Sequence, residues 1–168
     1  MQSKKFRKWL VLFLALVIPA CIYIFLKKFG QNQFDVAPLY AEAPPELPGD
    51  CPPHQGGPYR IPEFVLESLG WSDSASLFLF LFTEGGHPVG RITEAFQPDE
   101  LRQVPVNAGN NPVVEADLSW WNACYLFVSE QRPLLLVDKE RQIRGHYGNT
   151  REDIDRLLME AAIILRKY

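Results

Sequence analysis

Residues 134–158 read LLLVDKERQIRGHYGNTREDIDRLL, and this stretch decides the fold class. Leu134-Leu135-Leu136-Val137 is a short apolar run, the pattern of a strand buried on both faces. Asp138-Lys139-Glu140-Arg141 has the composition of a turn. Gln142 to Tyr147 then reads as the return strand of a hairpin. Gly148-Asn149 breaks it. Thr150 stands as an N-cap, with Glu152 and Asp153 in the first turn of the helix that follows. Apolar residues at 154, 157, 158, 161, 162 and 165 recur at spacings of three and four. They give that helix one apolar face, which docks on a sheet. Arg166 and Lys167 suit its C-terminal end.

Upstream, Ser76 to Phe82 (SLFLFLF) is a second continuous apolar run of strand length. It ends in the turn-rich Thr83-Glu84-Gly85-Gly86-His87-Pro88. Ile92 to Phe96 suits a helical turn or two, residues 105–112 are loop by composition, and the aromatic Trp120–Val128 suits either a helix or a strand. The body is thus a small α/β domain over residues 63–168. Residues 29–62 hold Pro38, Pro44, Pro45, Pro48, Pro52, Pro53, Pro58 and Pro62. Proline fixes φ and removes a donor, so this segment predicts an extended, semi-rigid tether with short paired pieces at most. Phe34, Val36, Leu39 and Tyr40 are apolar enough to dock.

Residues 1–28 form a third region. Trp9 to Leu26 carries eighteen residues without a charge, a length of roughly 27 Å as a helix, close to a bilayer core. Four basic residues precede it and two follow. The larger positive cluster predicts an N-in, C-out anchor with the body outside the cytoplasm. A cleaved signal peptide is the first alternative. The second is a lipoprotein, because Ile18-Pro19-Ala20-Cys21 loosely resembles a lipidation box. Six of the 17 basic residues lie in this head with no acid, which leaves 11 basic against 20 acidic residues beyond it. An acidic body argues against nucleic acid as a partner.

The succession of apolar strand, loop, Xaa-Pro, strand, hairpin and C-terminal helix resembles the thioredoxin-like fold. In that fold Pro133 sits at the position of a frequent cis proline. The run from Leu134 to Leu158 is similar to the C-terminal signature of the SCO/SenC family, and Phe29–Tyr40 and Tyr59–Phe64 resemble its juxtamembrane part. The resemblance implies a small central sheet with flanking helices behind one N-terminal transmembrane helix. It also implies a role in the bacterial inner membrane, with a periplasmic domain, in assembly of cytochrome c oxidase by copper delivery or thiol chemistry. The family uses a CxxxC pair after the first core strand and a His before the Val-Asp strand. Two soft thiolates and an imidazole suit copper. Here Gly85 and Val89 stand at the two cysteine positions, and Ser129-Glu130-Gln131-Arg132-Pro133 offers no imidazole.

The expectation is therefore a scaffold with a pseudo-active site. It would be a non-enzymatic accessory subunit or assembly factor of a respiratory membrane complex, binding the membrane and respiratory subunits and needing no cofactor. Trp120, Trp121 and the apolar linker residues are the interface candidates: adjacent tryptophans point apart, so one can belong to the core while an exposed one anchors partners. Two alternatives remain. One is a copper or thiol-redox protein with a relocated site. Cys51-Pro52-Pro53-His54 is a C-x-x-H pair and His87 a further imidazole, though each reads more simply as a linker or turn residue. Cys124 reads as a buried thiol, and a Cys51–Cys124 disulfide or a reactive thiol are its other states. His146 reads as a half-exposed strand residue. The second alternative is an unrelated extracytoplasmic binding module.

Overall fold

A computed structural model describes residues 3–29, 36–54, 56–72, 74–82, 89–106 and 118–166. The chain divides into two compact units, Met1–Phe34 and Asp35–Tyr168. The first is built on α1 (Ser3–Phe29), a single helix that continues through Pro19. Its stretch Phe6–Phe25 is long and apolar enough to cross a membrane, and a signal sequence has the same character.

The second unit is a mixed α/β domain. Its described elements are α2 (Glu63–Ser68), β1 (Leu77–Leu81), α3 (Val89–Ala95), β2 (Leu101–Pro105), β3 (Leu134–Asp138), β4 (Ile143–Tyr147) and α4 (Arg151–Leu165). A π-helical turn spans Asn122–Leu126. The four-stranded sheet has the order β2-β1-β3-β4. β1 pairs with β2 in parallel through the crossover that contains α3, and with β3 antiparallel, Leu79 facing Leu136. β3 and β4 form the expected hairpin.

Both central strands are buried at every position, as their unbroken apolar runs require. On one face, Leu77, Leu79, Leu134, Leu136 and Tyr147 pack against Ile92 of α3 and Ile154, Leu157, Ala161 and Ile164 of α4. On the other, Phe78, Phe80, Leu135, Val137 and Ile143 pack under Tyr59, Ile61, Val65, Leu66, Trp121 and Leu126. Thr150 caps α4 as its sequence predicts, its hydroxyl accepting the Asp153 backbone N–H at 3.1 Å.

Strand β2 has no counterpart in the sequence expectations. Leu101-Arg102-Gln103-Val104-Pro105 buries only Leu101 fully, so it lacks the apolar run that marks β1 and β3. An edge strand needs no such run, and it tolerates Pro105 where a central strand would not.

Three further expectations are corrected. The Pro-rich segment is not a free tether. From residue 36 onward it lies as a strap on the body. Leu39 donates its N–H to the Ile143 carbonyl at 2.9 Å, Tyr59 to Tyr40 at 2.9 Å and Ile61 to Arg141 at 2.9 Å. The residues between the prolines keep their donors and spend them on the β4 edge and on the strap itself. Pro133 does not introduce a cis bond: no described peptide bond is cis. His146 is not half-exposed. It is 8% exposed, because the strap and the π-helical turn cover the sheet face on which it lies.

The β3–β4 turn is fixed by one buried ion pair. Asp138 is fully buried and accepts the Gln142 N–H at 2.8 Å and the Arg144 Nε–H at 2.6 Å. Burial pushes its carboxyl above the ordinary range, and the Gln142 N–H and the Arg144 charge pull the other way. Arg144 occupies a β-bulge, where Leu136 faces Gly145 and Val137 faces Ile143. Its Nη1 reaches past the hairpin to the Val36 carbonyl at 2.9 Å. Replacing Asp138 by Ala should therefore cost about 3–5 kcal/mol, because a largely buried guanidinium loses its carboxylate. Gly145→Ala should also destabilise, by about 1–3 kcal/mol, since a Cβ there would lie 2.5 Å from Tyr147 Cζ. Denaturant unfolding of the full chain in detergent measures both.

Candidate functional site

The strap and the π-helical turn bring Cys51, His54 and Cys124 together. Cys51 and Cys124 form a disulfide across 73 residues of sequence, with Cα atoms 5.4 Å apart. The bond closes a long loop and lowers the entropy of the unfolded chain, an effect on the order of 2–5 kcal/mol. Cys51 lies in a tight turn, its N–H donating to the Pro48 carbonyl at 3.0 Å, and is partly buried. Cys124 is 1% exposed. The His54 ring follows three residues after Cys51, its Nε2 3.3 Å from the Cys124 carbonyl oxygen. The carbonyl can only accept, so Nε2 carries the proton of that contact.

Around the disulfide lies an aromatic array. The His54 ring meets Tyr59 edge-on at 4.8 Å and Tyr125 at 6.2 Å. Tyr59 and Phe127 stand 5.2 Å apart, and Tyr40 packs on both. The Tyr59 hydroxyl donates to the Tyr125 carbonyl at 2.8 Å. Burial, reinforced by the neighbouring Tyr125 and Tyr40 phenols, pushes the Tyr59 hydroxyl far above its ordinary range, so it stays a neutral donor. At the outer rim, Trp120 and Phe64 flank Tyr125 at 5.3 and 5.9 Å. Both rim rings face solvent, 41% and 52% exposed, whereas Trp121 is a core residue at 4%.

Tyr59, Phe64 and Tyr125 were not among the sequence candidates, and Tyr40 was one only as a docking residue of the linker. They are separated by up to 85 positions, and only the disulfide pairing signals that residues near 51 and near 124 meet. Gly85 and His87 lie outside the described residues. Val89 begins α3, and its side chain is outside them too. Among the described residues, no group of three or more His, Cys, Asp or Glu side chains is placed to hold a metal ion. The donor set does not fit the copper site that the resemblance implies. Gly85 and Val89 supply no side-chain donor, and Cys51 and Cys124 are bonded to each other rather than present as thiolates.

His146 ties the site to the sheet. Its Nε2 donates to the Leu126 carbonyl at 2.9 Å, at the end of the π-helical turn. Burial holds the imidazole below the ordinary histidine range, with the Leu126 hydrogen bond opposing and the Arg132 charge assisting. An unfolded histidine takes up its proton near pH 6.5, and the folded one refuses it until lower pH. The folded state should therefore lose stability as pH falls through about 6.5 toward the folded value. Denaturation midpoints of the full chain measured between pH 7.5 and 5 should fall accordingly, and His146→Gln should flatten that slope.

In comparisons with protein-family models, with curated proteins and with solved structures, nothing matches this chain.

Proposed function

We propose that this chain is a membrane-anchored, thioredoxin-like protein of the SCO/SenC type. In this reading it works as a non-enzymatic accessory subunit or assembly factor of a respiratory membrane complex, and its folded domain lies on the extracytoplasmic side. The observation that carries the reading is the succession β-α-β-β-β-α with sheet order β2-β1-β3-β4. A parallel β1–β2 pair beside an antiparallel β3–β4 hairpin, closed by a C-terminal helix, agrees with the thioredoxin-like arrangement that the SCO/SenC-like signature at 134–158 implies.

Three observations support the rest. The apolar helix α1, with four basic residues before its apolar run, suits an anchor with its N-terminus inside. A disulfide persists in oxidising compartments, which agrees with a periplasmic body. The missing side-chain donors at Gly85 and Val89 turn the reading from copper delivery toward protein binding, and the exposed Trp120 and Phe64 provide an aromatic surface for it.

Purification in mild detergent through a C-terminal tag tests this. Respiratory-complex subunits should come down with the chain in fixed stoichiometry. A chain that comes down alone, or with other proteins only, would overturn the reading.

A further inference from the structure

The Cys51–Cys124 disulfide carries features that a simple staple does not need. Cys124 sits in a π-helical turn, a rare conformation often found at functional sites. The turn ends at Phe127, a non-glycine residue with φ of 55°. Asn122, two residues before Cys124, has a buried Oδ1 without a hydrogen-bond partner among the described residues. His54 stands against the Cys124 carbonyl. The two sulfurs are also unequal. Cys51 lies on the surface strap, while Cys124 is 1% exposed. Next to the bond, Phe64 and Trp120 present exposed rings on either side of Tyr125.

We propose that Cys51–Cys124 is an exchange-competent disulfide that accepts two electrons from a dithiol-bearing protein docked on the exposed rings of Phe64 and Trp120, which pack against the buried Tyr125. The occupant is a dithiol protein because the apolar rim adjoins the one kind of bond that such a protein attacks. A partner thiolate attacks Sγ of Cys51, the less buried of the two cysteines. The Cys51–Cys124 bond breaks, and its electron pair leaves on Cys124 Sγ, which takes a proton from solvent. The partner's second thiolate then attacks the partner sulfur of the mixed disulfide. That step closes the partner's own disulfide and releases Cys51 as a thiolate, which is protonated in turn. The partner is oxidised by two electrons and this chain is reduced by two. The site uses residues other than Gly85 and Val89, and it does not depend on the respiratory reading above.

The test uses the purified full chain in detergent, with reduced thioredoxin as the protein dithiol and dithiothreitol as the small-molecule one. Alkylation mass shifts follow the cysteines, and tryptophan fluorescence follows the fold. Thioredoxin should reduce the bond while the fluorescence stays native. A thioredoxin with its resolving cysteine replaced by serine should be trapped on Cys51. Phe64→Ala with Trp120→Ala, both exposed positions, should lower the ratio of the thioredoxin rate to the dithiothreitol rate about tenfold. Reduction only under conditions that unfold the chain would overturn the proposal, as would trapping on Cys124 or a rate ratio that the double variant leaves unchanged. None of these readouts involves co-purifying subunits, so failure here is distinct from failure of the proposed function.

Discussion

The body depends on a carboxylate with no exposure to water. Asp138 ends β3, and both of its oxygens are spoken for: one by the Gln142 N–H, the other by Arg144. A buried ion pair is weak evidence of net stability, because desolvation of both groups opposes their attraction. Its consequence here is geometric. Arg144 is the bulged residue of β4, and the bulge re-aims its side chain beneath the turn. From there the guanidinium reaches the Val36 carbonyl, the first described residue of the strap. One pair of charges thus sets the turn, the register of β4 and the point where the chain joins the sheet.

The strap follows from that attachment. Once Val36 is held at the hairpin, the chain runs beside β4, where Ile143 and Arg141 offer carbonyls to Leu39 and Ile61. An uncovered β4 edge would be open to pairing with other strands. Prolines between these donors keep the segment extended without removing the hydrogen bonds it needs. The Cys51–Cys124 bond ties the strap, with its His54 and Tyr59, to the π-helical turn that ends at Phe127. His146 then hydrogen-bonds the π-helical turn from the sheet side. The aromatic array is therefore held by a covalent bond above and a strand below.

The sequence was most legible where local pattern and tertiary environment agree. The apolar runs at 77–81 and 134–138 are central strands because only a strand buried on both faces tolerates them. Thr150 with its acidic first turn is legible for the same local reason. Edge strand β2 was not, since one buried leucine among polar residues leaves no periodicity to read. The strap was misread because proline content reports local stiffness and says nothing of where a stiff segment lies. His146 was misread because strand alternation assumes one wet face, and here both faces of the sheet are covered. Of the site, Cys51, His54, Cys124 and Trp120 were visible in the sequence, and the Cys51–Cys124 disulfide was one of the states open to Cys124, but choosing it depends on a contact across 73 positions. No local pattern encodes such a contact.

Two locations in the body bear on function, and they differ in chemistry. After β1 the chain has Gly85 and Val89, neither of which supplies a side-chain donor. The soft and titratable groups gather instead where the strap crosses the π-helical turn, between Cys51, His54 and Cys124, with Tyr59 buried beneath them. On the sheet face under α4 the strap contributes Val36, which packs against the cluster. On the opposite face the strap adds a second cover and the disulfide. The proposed sulfur chemistry and the proposed protein-binding surface meet there, because the buried Tyr125 follows Cys124 in the chain and has the exposed Phe64 and Trp120 rings against it.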